Sequence, residues 1–140
     1  MALSYYCRNL LNMDIKDLRI GNFIDASIEE NDTSAIGIVD FISSDGLIGV
    51  KCGHMVTNYM INNLKGIELN EEWLLKIGFI VNSETSYQKD DLLIYLGQFG
   101  KNIVYLKQKY KGDIEICDTD YVHQVQNLHF ALKGKELTLK

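Results

Sequence analysis

Lysine is the residue type from which this chain could build an anion site. Along Lys101 to Lys111 the odd positions read Lys, Ile, Tyr, Lys, Lys, Lys. On a strand, side chains alternate between faces, so Tyr105, Lys107, Lys109 and Lys111 would share one side. Ammonium groups beside a tyrosine can hold a phosphate and stack a base. The plainer reading is a solvated outer face whose lysines discourage edge pairing. A second surface lies on a C-terminal helical stretch, where Phe130 stands among His123, Gln126 and Asn127 opposite the arc expected to be buried. A solvated face has no need of a phenylalanine. The helix could be covered on both sides by its own chain, meet a second subunit, or line a ligand site. Tyr105, Lys107, Lys109, His123, Asn127 and Phe130 are therefore the candidate ligand-binding residues.

Other pairings carry less. Cys52 and His54 have the spacing of a nucleophile and its base on one strand face, but no acid is placed to orient the histidine and no glycine-rich oxyanion turn follows. His123 with Asp118 and Asp120 offers imidazole and oxygen donors for a metal, although helix capping explains the aspartates more simply. His129 falls on the buried arc and reads as a hydrogen-bonded core histidine. No HExxH, P-loop, GxSxG or GxGxxG element occurs, so the expectation is a protein without catalytic residues, cofactor or metal.

The composition narrows the partners. With 46% hydrophobic and 24% charged residues the chain is globular, and its 140 residues suffice for one domain. A net charge of −5 and only two arginines, Arg8 and Arg19, argue against duplex DNA, whose phosphates normally recruit arginine. No apolar run approaches the length of a membrane span, and a cytoplasmic setting is expected. Cys7, Cys52 and Cys117 are widely spaced and odd in number, which implies reduced thiols and no disulfide framework.

These candidates need elements to hold them. Residues 1–12 show neither strand alternation nor a helical cap and read as an N-terminal extension to a single α+β domain over 13–140. A strand cluster over 18–60 follows: Leu18 to Ile24 with Gly21 marking a bulge or a close backbone approach, Ala35 to Ile42 and Leu47 to Cys52 joined at Asp45-Gly46, and a fourth strand from Met55 to Tyr59. Such a cluster suggests an SH3-like half-barrel. The acidic loop from Ile28 to Thr33 lacks the glycine and spacing of a calcium loop. A short helix over 70–77 has Asn70 as its cap, Glu71 and Glu72 at its positive end, and Gly78-Phe79 as its stop, with Trp73 as a core anchor. An antiparallel meander occupies 79–117, with one strand running from Asn102 to Tyr110 and a last one from Ile114 to Cys117. A C-terminal helix over 119–133, capped by Asp118 or Thr119 and ended by Gly134, packs on that sheet, and 137–139 forms an edge strand. At 100° per residue Tyr121, Val122, Val125, Leu128, His129 and Leu132 fall within roughly 120°, the predicted buried face.

Three stretches together carry a resemblance: Lys16 to Asn22, Glu71 to Phe79, and Tyr121 to Leu132 followed by Lys133-Gly134-Lys135-Glu136-Leu137. Their order resembles a family of short uncharacterised proteins carried by phages and prophages of gut bacteria, with Val125 and His129 standing where leucine and tyrosine are expected. That resemblance implies no catalytic residues. It implies a mobile-element setting, hence a non-catalytic accessory protein of the host cytoplasm that binds and neutralises a host component. A small anionic, nucleotide-like signalling ligand of a host defence system is the sharper form of this expectation. The alternative is a protein-interaction or self-assembly module, a homo-oligomer or a binder of host or phage protein, working through the C-terminal helix and Phe130.

Overall fold

A computed structural model describes residues 13–27 and 36–140. The N-terminal extension and the acidic loop lie outside the described residues. The fold is α+β, with two antiparallel sheets of four and five strands and a single long helix near the C-terminus. The chain divides into two compact units, one ending at Ile67 and the other starting at Glu68.

The first unit is a meander of β1 (Phe23–Asp25), β2 (Ile36–Ile42), β3 (Leu47–Cys52) and β4 (Met55–Met60), paired in that order. The expected first strand is shorter than its alternation suggests, because 18–22 turns instead of extending. The Asn22 side chain accepts from the Arg19 N–H at 2.7 Å, and Gly21 takes a φ of 98° while donating to the Val39 carbonyl. Glycine is needed there because a side chain is disfavoured at that φ. The hairpin at Asp45-Gly46 forms as read, with Gly46 at φ 88° and the Ser43 hydroxyl oxygen accepting from Leu47. Leu18, Ile24, Ala26, Val39, Ile48, Val50 and Leu64 make the core, one face of a twisted sheet closed by the returning chain. Asp25 and Lys65 exchange backbone hydrogen bonds at 3.0 and 2.9 Å, which covers the outer edge of β1.

The second unit opens with α1 (Glu71–Lys76). The Asn70 side chain caps it at the Trp73 N–H, 2.9 Å away. The stop is a Schellman close: Phe79 N–H reaches the Leu74 carbonyl at 2.9 Å and Gly78 N–H the Leu75 carbonyl at 3.2 Å, with Gly78 left-handed at φ 100°. Trp73 is buried, with the Lys76 ammonium 5.0 Å from its ring. A five-stranded meander follows: β5 (Ile80–Val81), β6 (Ser86–Lys89), β7 (Leu92–Gln98), β8 (Lys101–Leu106) and β9 (Ile114–Asp118). Strand β8 stops at Leu106, four residues short of the expected end, as 107–113 leave the ladder in turns.

Helix α2 (Val122–Lys133) begins later than its aspartates suggest. Asp118 is the last residue of β9 and caps nothing in this helix. Gln124 does that work: its side-chain oxygen accepts from the Thr119 hydroxyl at 3.0 Å, the Asp120 N–H at 2.8 Å and the Tyr121 N–H at 3.0 Å. A glutamine three residues past the cap reaches back to donors otherwise left open, which is the second half of a capping box. Gly134 ends the helix at φ 69° with its N–H on the Phe130 carbonyl. The expected edge strand at 137–139 is absent, because the tail joins no ladder. The Lys140 N–H on the Lys76 carbonyl, the His129 ring on the Lys135 carbonyl and the burial of Leu137 hold it instead.

Candidate functional site

A concave site with binding chemistry lies in the first unit. A cleft of about 250 Å³ is lined by Ser27, Tyr59, Asn62, Asn63 and Lys65. Each wall has a local cause. Ser27 is set by the Asp25 carboxylate, which accepts its N–H at 2.8 Å and is thereby turned to its own backbone. Tyr59 is the penultimate residue of β4, paired with buried Ile48. Asn62 and Asn63 sit on a 3-10 turn, Ile61–Asn63, whose Leu64 anchors in the core. Lys65 is fixed by its backbone exchange with Asp25, and among the described residues no carboxylate pairs with its ammonium.

Among the described residues the lining is one cation, two carboxamides, a hydroxyl and a phenol. Such a set offers several donors to anionic oxygens and acceptors to a polar ring edge. Its titratable groups are the Lys65 ammonium and the Tyr59 phenol, and the set can bind and orient an anion. A second, more open hollow, lined by Met13, Asp14, Ile15, Asp17, Gly46, Met60 and Ile61, has acidic rims and suits no anion. Among the described residues no group of three histidine, cysteine or carboxylate side chains could hold a metal ion.

The six residues singled out from sequence line neither hollow. Tyr105 is on β8, half-buried, donating to Gln98 at 3.3 Å and packed edge-on to Tyr95 with ring centroids 5.4 Å apart. Lys107 and Lys109 stand beyond the end of β8, so the period-two face does not extend to them. The Lys107 ammonium donates to the Gln88 side chain at 3.2 Å, and that of Lys109 lies 5.6 Å from the Tyr110 ring. His123 is only 1% exposed, its ring stacked 5.7 Å from that of Tyr121. Asn127 is half-buried, and Phe130 is 40% exposed. The buried arc of α2 is thus Val122, His123, Val125, Gln126 and His129, turned from the predicted one, with Leu132 exposed. Of the three explanations for that face, its own chain encloses His123 and Gln126.

His129 makes a structural clamp. Its Nδ1 donates to the Lys135 carbonyl at 2.9 Å, and Nε2 faces the Asp90 carboxylate at 3.8 Å, beyond hydrogen-bond range. Lys133 pairs with Asp91 beside it. Together they tie the end of α2 to the turn between β6 and β7, where Asp90 holds a left-handed φ of 54° and its carbonyl accepts from Gln88. Cys52 is half-buried and His54 exposed on the next turn, with nothing orienting the imidazole toward the thiol. Burial and the neighbouring Asp118 push the Cys117 thiol up, away from the reactive thiolate.

Sequence reasoning missed the cleft because it closes only where Ser27, just after β1, is brought beside the distant 59–65 stretch. The signal available was Asn62-Asn63-Leu64-Lys65 directly after a strand: polar side chains around one buried leucine. Compared with known proteins, the chain matches no family model, no curated protein and no solved structure. Among the described residues no helix is long and apolar enough to cross a membrane.

Proposed function

We propose that this protein is a non-catalytic binding protein that captures a small anionic, hydrogen-bonding ligand in the cleft of Ser27, Tyr59, Asn62, Asn63 and Lys65. The observation that carries the reading is that lining: among the described residues, an ammonium with no carboxylate partner beside neutral donors and acceptors. The volume, about 250 Å³, lies just under the usual range for small-molecule sites, which favours a ligand of mononucleotide size or less. Tyr59 supplies a ring edge or face for a base, and Lys65 a charge for its phosphate. The resemblance to phage-carried proteins supplies the setting, in which such a protein withdraws a nucleotide-like signal from its host. Sequestration needs affinity without turnover, which a site built from neutral donors and one ammonium can supply.

Thermal unfolding with inorganic phosphate, linear mononucleotides and cyclic nucleotides tests this directly. A ligand at a hundred times its Kd adds about 2.7 kcal/mol, which raises the Tm by roughly 9 °C for a chain of this size. Lys65→Ala, an exposed substitution, should leave the unliganded Tm within about 1 °C and abolish the ligand-induced rise. A flat response across the panel, or a rise that survives Lys65→Ala, overturns the reading.

A further inference from the structure

We infer that β4 is a self-association edge, which pairs antiparallel with β4 of a second copy about a two-fold axis at Asn58. The inference stands apart from the ligand cleft. Its basis is a difference among the four sheet edges. The edge of β1 is covered by the Lys65 return, β5 is only two residues long, and β9 carries Glu115 and Asp118. Short length, charge and covering are the usual devices that stop one sheet from pairing with another. Strand β4 has none of them. It runs six residues as Met-Val-Thr-Asn-Tyr-Met, with no charge, no proline and no bulge against β3, and among the described residues no strand lies on its outer side.

The hydrogen-bond pattern follows from the hairpin. Cys52 and Met55 face each other across the two-residue turn Gly53-His54, with Gly53 at φ 65°. The pair flanking a turn this tight exchanges its own N–H and C=O groups, so Met55, Thr57 and Tyr59 bond to β3. Val56, Asn58 and Met60 then present their N–H and C=O groups outward. A perpendicular two-fold keeps residues of the same parity opposite each other. Centring it on Asn58 sets Asn58 against Asn58 and Val56 against Met60. Both apolar side chains are exposed, at 43% and 49%, and each covers the other in this register. The alternative centre, Thr57, would set Val56 against Asn58 and leave Met60 uncovered.

Charge selects the occupant. Each copy carries −5, so two copies repel except where a neutral strip allows close approach. A strand evolved for an acidic or basic peptide would present the opposite charge, and β4 presents none. Its best complement is itself, and pairing joins two four-stranded sheets into one.

Light scattering at about 100 µM, where a small interface of the transient class is populated, should give a mass approaching twice 16.0 kDa. The dimer should strengthen with added salt, as screening removes the repulsion between acidic copies. Asn58→Asp places two carboxylates on the axis without altering shape, and should return the mass to that of one chain with the Tm unchanged. Asn58→Cys should form an intermolecular disulfide at position 58, since directly opposed residues lie about 5.5 Å apart; peptide mapping separates it from the native cysteines. A monomeric wild-type protein, a dimer mass unaffected by Asn58→Asp, or no cross-link at 58 overturns the inference.

Discussion

Strand β4 and helix α2 both lie at a margin of their unit, and they are finished in opposite ways. The margin at α2 is tied at each end by polar contacts: Gln124 gathers three donors at its start, while His129, Lys133 and Gly134 tie down its finish. The margin at β4 is paired to β3, carries no charge, and among the described residues has no strand on its other side. A hydrogen bond within the chain adds little net stability but is costly to break when buried, so a margin laced with such bonds stays closed. A neutral, unlaced edge has no such bonds to break before it pairs.

Breaking the α2 margin should therefore cost stability where altering β4 does not. The largest loss is expected at His129. His129→Ala removes a side chain only 2% exposed and leaves the Lys135 carbonyl without its donor. Cavity and lost hydrogen bond together should lower unfolding stability by about 3 kcal/mol, read as a reduced urea midpoint. A loss no greater than that of Asn58→Asp on β4 would erase the contrast between the two margins. Gln124→Ala comes next. Loss of the shared acceptor should cost about 1 kcal/mol, and because Thr119, Asp120 and Tyr121 all bond to it, hydrogen exchange at the Asp120 and Tyr121 amides should accelerate. Unchanged exchange there would show that another group caps the helix.

A smaller, pH-dependent effect sharpens the picture of the sheet beside α1. Burial, with a hydrogen bond to Glu71 and its charge, raises the Tyr87 phenol above the ordinary tyrosine value of 10.0. The folded state holds this proton more tightly than the unfolded chain does. The resulting stability is present in full below pH about 10, and is lost as pH rises through the folded value. Tyr87→Phe should flatten the alkaline decline in urea midpoint above that pH, and an equally steep decline would remove Tyr87 from the account.

Elements with self-contained ends were legible in the sequence. Asn70 and Gly78-Phe79 bracket α1 because the cap and the Schellman close use only neighbouring residues. Asp45-Gly46 marks its hairpin and Gly134 stops α2 for the same reason, since a positive φ is a local demand that glycine meets. Asp118 misled because two local rules competed for one residue: an aspartate is a good cap, but pairing with Ile103 kept it in β9. The lysine face failed at Leu106, where the ladder ended although the alternation continued.

By itself, then, the sequence determined the α+β class, the order of strands, the two helices and their glycine stops, because periodicity and caps act within a few residues. Only the tertiary structure decided which arc of α2 is enclosed, since burying His123 and Gln126 depends on what surrounds them and not on their own polarity. It also decided that Ser27, Tyr59, Asn62, Asn63 and Lys65 share one cleft and that, among the described residues, no strand pairs with the outer side of β4. Both depend on how distant segments return beside each other, and no short-range rule reports that.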